Sequence, residues 1–261
     1  PSNFKNFIKN NLSGANLKTE IDFYLNKENL LDDFIARGSI TKLNFKFLKN
    51  INFNETSLDF LADKNDVLVK NISSKLGPIQ ISEGDLKFER SSEILVQSNF
   101  KSKVNYNSNF SKYSNLFKDF DYINYFNILN LSTNNSLKLN LDNTYKLKNY
   151  NFKSSGKILK ANADFKKPIF NYFLKNKINN LSLIDNSIDI NFEQNKLRSK
   201  IQGNYSFNNG KNLKFDLKSE FKKDLLKLNV DAEVNEYIDF KIINYEKPKD
   251  KTANVSLSLN K

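Results

Sequence analysis

The chain has 261 residues, 41 Lys plus Arg against 29 Asp plus Glu, and a formal net charge of +12; it has no His, Cys, Trp or Met. Without Cys and His there are no disulfides, no thiol nucleophile, no Ser-His-Asp triad and none of the usual structural zinc sites. General acid–base work would fall to Asp, Glu, Lys or Tyr, and no spacing gathers them into a site.

The chain begins at Pro1, which leads us to expect a fragment or processed product. Phe4, Phe7, Ile8 and Leu12 have helical spacing, with Gly14 placed to stop the helix. From there strict alternation dominates, beginning with Leu17–Leu25. Gly38-Ser39-Ile40-Thr41-Lys42-Leu43-Asn44 matches Gly156-Lys157-Ile158-Leu159-Lys160-Ala161-Asn162 at the glycine, isoleucine, lysine and asparagine, a short internal repeat. Glycine inside a strand marks a bend or bulge, and Gly203 sits in a comparable mid-strand position. Gly77-Pro78 and Glu83-Gly84-Asp85 read as turns.

Ile94, Val96, Ser98, Phe100, Ser102, Val104 and Tyr106 then alternate with mostly polar residues. Phe110, Tyr113, Leu116, Phe117, Phe120 and Ile123 predict an amphipathic helix over 110–129. Asn134-Asn135 and Asp142-Asn143 read as turns around the alternating run Leu137–Leu141. Pro168 is placed to open a short helix carrying Ile169, Tyr172 and Phe173. Leu197–Phe207 alternates again, and Asn208-Asn209-Gly210 reads as a hairpin turn into the run Leu213, Phe215, Leu217, Ser219, Phe221. Leu226–Val234 follows the same rule. Lys247-Pro248-Lys249-Asp250 precedes the last run, Ala253–Leu259.

A two-residue period puts one set of side chains on each face of a sheet. About a dozen strands, apolar on one side and wet on the other, must cover their apolar side with a second sheet, with helices or with a ligand. The three short predicted helices do not suffice. The expected fold is therefore mainly β: a long curved antiparallel sheet forming an open hydrophobic groove, with a few short helices. It reads as one groove segment of a longer protein, β-rich over 1–106 with a short N-terminal helix, a helical insertion over 107–130, and β-rich over 131–261. The groove lining is expected from Ile94, Val96, Phe100, Val104, Leu213, Phe215, Leu217, Leu228 and Val230. Each methylene of an acyl chain leaves water at a gain of ~0.8 kcal/mol. Exchange between such a trough and a bilayer is then near neutral, which suits a conduit.

The glycine-centred alternating runs resemble the AsmA-like family of bacterial envelope proteins. So do Gly84-Asp85-Leu86-Lys87-Phe88, the segment Leu147–Ile158, Leu181-Ser182-Leu183-Ile184-Asp185, Gly203–Asn209 and the ending Ala253–Leu259. The resemblance is one of strand and turn style over most of the chain, with no diagnostic motif. It implies a periplasmic β-groove anchored in the inner membrane by a segment outside this chain. It also implies a role in moving phospholipids between inner and outer membranes, through membrane contacts made by other parts.

Other readings stay open from sequence alone. One is a structural or adhesive β-sandwich with a dry core; the two glycine motifs lie roughly one Ig-like unit apart. Another is a component of a lipopolysaccharide bridge. An outer-membrane barrel also alternates, but this chain does not end on an aromatic residue. Nucleic acid is not expected as a partner, because the lysines are spaced by carboxylates and form no long basic block. No enzyme activity, cofactor or metal is expected.

Overall fold

The computed structural model describes residues 10–47, 51–107, 126–144, 146–170, 177–223, 225–249 and 251–260. The strands are β1 (Leu12–Ser13), β2 (Asn16–Leu25), β3 (Leu31–Phe47), β4 (Ile51–Ala62), β5 (Asp66–Leu76), β6 (Ile79–Arg90), β7 (Ile94–Asn107) and β8 (Phe126–Leu141). They continue with β9 (Leu147–Phe170), β10 (Lys177–Glu193), β11 (Lys196–Phe207), β12 (Leu213–Lys222), β13 (Leu225–Val234), β14 (Ile238–Phe240), β15 (Tyr245–Lys247) and β16 (Ala253–Asn260). Fourteen of them form one antiparallel sheet in the order β1-β3-β4-β5-β6-β7-β8-β9-β10-β11-β12-β13-β16, with β2 also paired to β3. The pair β14–β15 is a separate two-stranded sheet. Sequence order is therefore sheet order nearly throughout, as short connections between antiparallel neighbours dictate.

The chain divides into two compact units. Among the described residues, one comprises those up to Lys103 together with 134–144 and 146–153; the other comprises 104–107, 126–133 and those from Ser154 onward.

Several turns lie where the sequence puts them. Leu76 pairs with Ile79 across Gly77-Pro78, and Gly77 takes φ +58°. Asn208 and Asn209 both adopt left-handed φ, +51° and +56°, and the Gly210 amide donates to the Phe207 carbonyl at 2.8 Å. Two successive left-handed residues twist in the sense a two-strand hairpin needs, and asparagine accepts that conformation at low cost. The Asp142 carboxylate accepts the amides of Thr144 at 2.8 Å and Lys146 at 3.0 Å, tying the β8–β9 turn.

Two expected separators are not turns. Asn134-Asn135 lies inside β8, and Glu83-Gly84-Asp85 lies inside β6. Glu83 instead has φ +49° and forms a bulge. It belongs to a series: Lys42 of β3, Glu55 of β4, Asn71 of β5 and Glu83 of β6 are all left-handed, and the pairing register slips beside each. One extra residue per strand bends that strand and sharpens its twist. It also switches the parity of the apolar positions. In β5 the residues sharing one face run Val67, Val69, then Ile72 and Ser74; in β3 Ile40 is followed by Leu43 and Phe45. Asp185, at φ +55°, does the same in β10.

The predicted helices fare differently. Residues 1–9 lie outside the described residues, while Leu12, assigned to the first helix, is in β1. Of the predicted helix over 110–129, the part 110–125 lies outside the described residues; Phe126–Leu129 is not helical but opens β8. Pro168 is also in a strand, close to the end of β9, where a missing amide donor is tolerated. Tyr172 and Phe173 lie outside the described residues.

Candidate binding face

Cross-strand register assembles the apolar positions into continuous rows, because residues directly opposite one another share a face. In the second unit one row runs Ile188, Ile201, Leu217, Val230, Leu257 from β10 to β16. A neighbouring row runs Ile190, Ser199, Ser219, Leu228, Leu259. Phe215 sits between Gly203 and Ala232, and Leu213 opposes Tyr205. In the first unit the row Ile21, Ala36, Ala62, Val67, Phe88 crosses β2 to β6.

The other face of β10–β13 is ionic. Arg198 contacts Glu220 at 3.1 Å and Glu193 at 3.2 Å, Lys196 contacts Glu220 at 3.0 Å, and Lys200 contacts Asp216 at 3.6 Å. Hydrogen bonds from Lys196 and Arg198 hold the Glu220 carboxyl below its ordinary range. A shallow depression of about 440 Å³ over β11–β16 takes its polar lining from Lys214, Asp216, Asp231, Glu233, Asn254 and Ser256. Gly203, Phe215, Ala232 and Val255 also line it, and it is open and mixed in character. Among the described residues no cluster of three carboxylates is arranged to hold a metal ion.

The expected lining residues are distributed over this framework. Ile94 and Leu213 are buried, with 0% and 3% exposure, and serve as core. Val96, Phe100 and Val104 on β7 are half-buried, as are Phe215 and Leu217 on β12 and Leu228 and Val230 on β13. Register joins Leu217 to Val230, and sets Leu228 opposite Ser219. Each unit thus leaves large apolar side chains unsealed. Phe23 is 65% exposed, Phe221 46% and Leu257 57%.

Two features were not legible in the sequence: that β2 and β16 lie at sheet edges, and which group of polar side chains is buried. The edge strands β2 and β16 carry Leu17, Phe23, Leu257 and Leu259 in the same alternation as interior strands. Their signal was present, but nothing in a period of two marks an edge. The second group is polar and buried: Thr56, Ser74, Ser98, Ser102, Asn135, Ser154 and Asn186. Thr56 and Ser74 hydrogen-bond to one another at 2.6 Å, and Asn135 Nδ2 donates to the Phe100 carbonyl at 3.2 Å and to Ser102 Oγ at 3.1 Å. Thr56 and Ser74 flank the bulges of β4 and β5, and their mutual bond satisfies two buried hydroxyls there.

The two sequence-matched glycines have matching surroundings. A Cβ on Gly38 would lie 2.1 Å from the Lys18 carbonyl oxygen and 2.9 Å from Thr19 Cα; on Gly156 it would lie 2.0 Å from the Ser132 carbonyl oxygen and 2.7 Å from Thr133 Cα. The short repeat in sequence is therefore a repeat in structure, a site where neighbouring backbones approach too closely for a side chain.

Comparison of the chain with family models, with curated proteins and with solved structures finds no match.

Proposed function

We propose that this chain is a lipid-binding segment of a bridge-like transport protein, and that its apolar sheet face is the inside of an open trough holding acyl chains. One observation carries this reading. Among the described residues ten hydrophobic side chains are buried, two of them alanines, while twenty large ones, Phe23, Phe221 and Leu257 among them, stay exposed. A dry sandwich of this length would bury many more large side chains, since interiors pack to crystal-like density. The bulge line supports the same reading. Bulges at Lys42, Glu55, Asn71 and Glu83 bend and twist their strands, as a sheet curled around a guest would require.

In this proposal Val96, Phe100, Val104, Phe215, Leu217, Leu228 and Val230 face the hydrocarbon, while the headgroup stays in water at the open side. The role is binding, not catalysis. Phospholipid is the expected cargo, and the setting is the periplasm of a double-membraned cell, as the likeness to AsmA-like proteins implies.

Native mass spectrometry of the purified protein tests the reading, followed by titration with a fluorescent phospholipid below its micellar concentration. Co-purified phospholipid, or saturable uptake of the probe, is expected. Protein that carries no lipid and takes up none refutes the trough and favours the dry-cored alternative.

A further inference from the structure

Between β13 and β16 the chain leaves the main sheet and builds the small hairpin β14–β15. Its base is fixed. Ile238 and Lys247, directly opposite in the pairing, are each 4% exposed. Lys247 Nζ donates to the carbonyls of Pro248 at 3.0 Å and Lys251 at 2.6 Å, and the Tyr237 hydroxyl bonds the Glu246 carboxylate.

The tip is a single 3-10 turn, Lys241–Ile243, closed by Asn244 in the left-handed region at φ +51°. Turn tips ordinarily carry Gly, Asn, Asp or Ser, which satisfy the backbone and like water. This one carries Ile242 and Ile243, 94% and 70% exposed, more than any other large apolar side chain described. Neither isoleucine serves the turn, whose unusual φ falls on Asn244. Tyr245, 45% exposed, stands beside them with its ring 6.4 Å from that of Phe240.

We infer that this tip is a docking point for a lipid bilayer, with Ile242 and Ile243 entering the acyl boundary, Tyr245 at headgroup level and Lys241 toward lipid phosphates. The size of the feature selects the partner. A stable protein interface needs roughly 800 Å² from each side, far more than one turn offers. A bilayer accepts a small apolar protrusion of any shape, and an amphipathic aromatic beside it suits the interface. The net charge of +12 adds attraction to anionic lipid, opposed locally by Asp239 and Glu246 on the hairpin strands. The inference does not rest on the trough, which lies on a different set of residues.

The test uses the full chain and vesicles of phosphatidylethanolamine and phosphatidylglycerol. Because the chain contains no Trp, Ile242→Trp gives a single reporter. Vesicles should shift its emission to the blue, and lipids brominated on their acyl chains should quench it. Ile242→Ser with Ile243→Ser, both at exposed positions, should weaken vesicle partitioning at least about tenfold while leaving uptake of dispersed fluorescent lipid unchanged. Absence of a blue shift and of quenching overturns the inference. So does vesicle binding that survives the double serine variant, or a hairpin that binds a protein while the vesicles leave the reporter unchanged.

Discussion

The side-chain amide of Asn186 fills the space that a side chain on Gly203 would need: a Cβ there would lie 1.9 Å from Asn186 Oδ1. Asn186 is wholly buried at the β10 bulge. Its Nδ2 donates to the Asn204 carbonyl at 3.0 Å, and its Oδ1 accepts the Asn204 amide. Where the register slips, one side chain thus replaces the ladder bonds that the backbone cannot make. Gly203, at φ +148°, supplies both the room and a conformation that other residues adopt with strain.

This pairing predicts a non-additive cycle. Asn186→Ala removes the side-chain partner of the part-buried Asn204 amide and carbonyl bonds and should cost about 1–3 kcal/mol. Gly203→Ala should cost about 2–3 kcal/mol through overlap and strain. With the amide already gone, part of the overlap at residue 203 is relieved, so the double variant should cost less than the two together. Urea denaturation of the four proteins measures the coupling; strict additivity would mean the two residues do not share this space.

Gly38 and Gly156 make a matched pair of the same kind, except that backbone blocks them. Overlap with a carbonyl oxygen cannot be relieved by a rotamer change, so Gly38→Ala and Gly156→Ala should each destabilise by about 2 kcal/mol or more. Their local effects should differ. Gly38 faces β2, whose residues are nearly all exposed and which pairs only with β3, so Gly38→Ala should raise hydrogen exchange chiefly over Asn16–Leu25. Gly156 faces β8, an interior strand, and its substitution should lower protection on both sides. Equal exchange profiles for the two variants would contradict this assignment.

What the sequence made legible here was the period. A period of two in Leu213–Phe221 and Leu226–Val234 placed these residues on one face, and the register puts Leu217 against Val230. Asn208-Asn209-Gly210 announced its hairpin because left-handed turns select asparagine and glycine. The bulges stayed hidden for a physical reason. Their extra residues, Lys42, Glu55, Asn71, Glu83 and Asp185, are polar and continue a pattern of polar positions. The true signal is the parity change around each, such as Val69 to Ile72. Glu83-Gly84-Asp85 has the chemistry of a turn and is used inside a strand. The burial of Thr56 and Asn186 was not legible, because alternation reports a face and cannot report which polar side chains are closed off from water.

Tyr205 links the core to alkaline stability. Its hydroxyl donates to the Glu233 carbonyl at 2.6 Å, and its ring meets Phe207 and Phe215 edge-on. Burial, then the nearby Glu236 and Glu233 carboxylates, push its pKa from the ordinary 10.0 up to about 12. The folded protein therefore holds this proton after the unfolded chain releases it. The associated stability is present below pH 10 and is lost as pH rises from 10 toward 12, by something on the order of 2 kcal/mol. Tyr205→Phe should cost about 1 kcal/mol at neutral pH and show a shallower loss between pH 10 and 12. Parallel pH profiles for variant and parent, measured by chemical denaturation, would exclude this role.

Leu213 and Leu217 lie four residues apart on one strand and on one face, yet they should answer a buried charge differently. Leu213 is 3% exposed and opposes Tyr205. Leu213→Asp forces a carboxylate into a closed site and should cost several kcal/mol, lowering the melting temperature sharply. Leu217 is half-buried, between Ile201 and Val230 on the face proposed to hold lipid. There an aspartate keeps access to water when the trough is empty, so Leu217→Asp, and Val96→Asp with it, should leave most of the fold in place. The same carboxylates must be dehydrated when an acyl chain lies against them, which sets binding against a penalty larger than the few methylenes in contact contribute. Photocrosslinking to a tail-labelled phospholipid should therefore collapse in the Val96→Asp, Leu217→Asp variant while its melting transition persists. A double variant that unfolds as completely as Leu213→Asp would mean that these positions belong to a sealed interior, and one that melts normally and still crosslinks would place the lipid elsewhere.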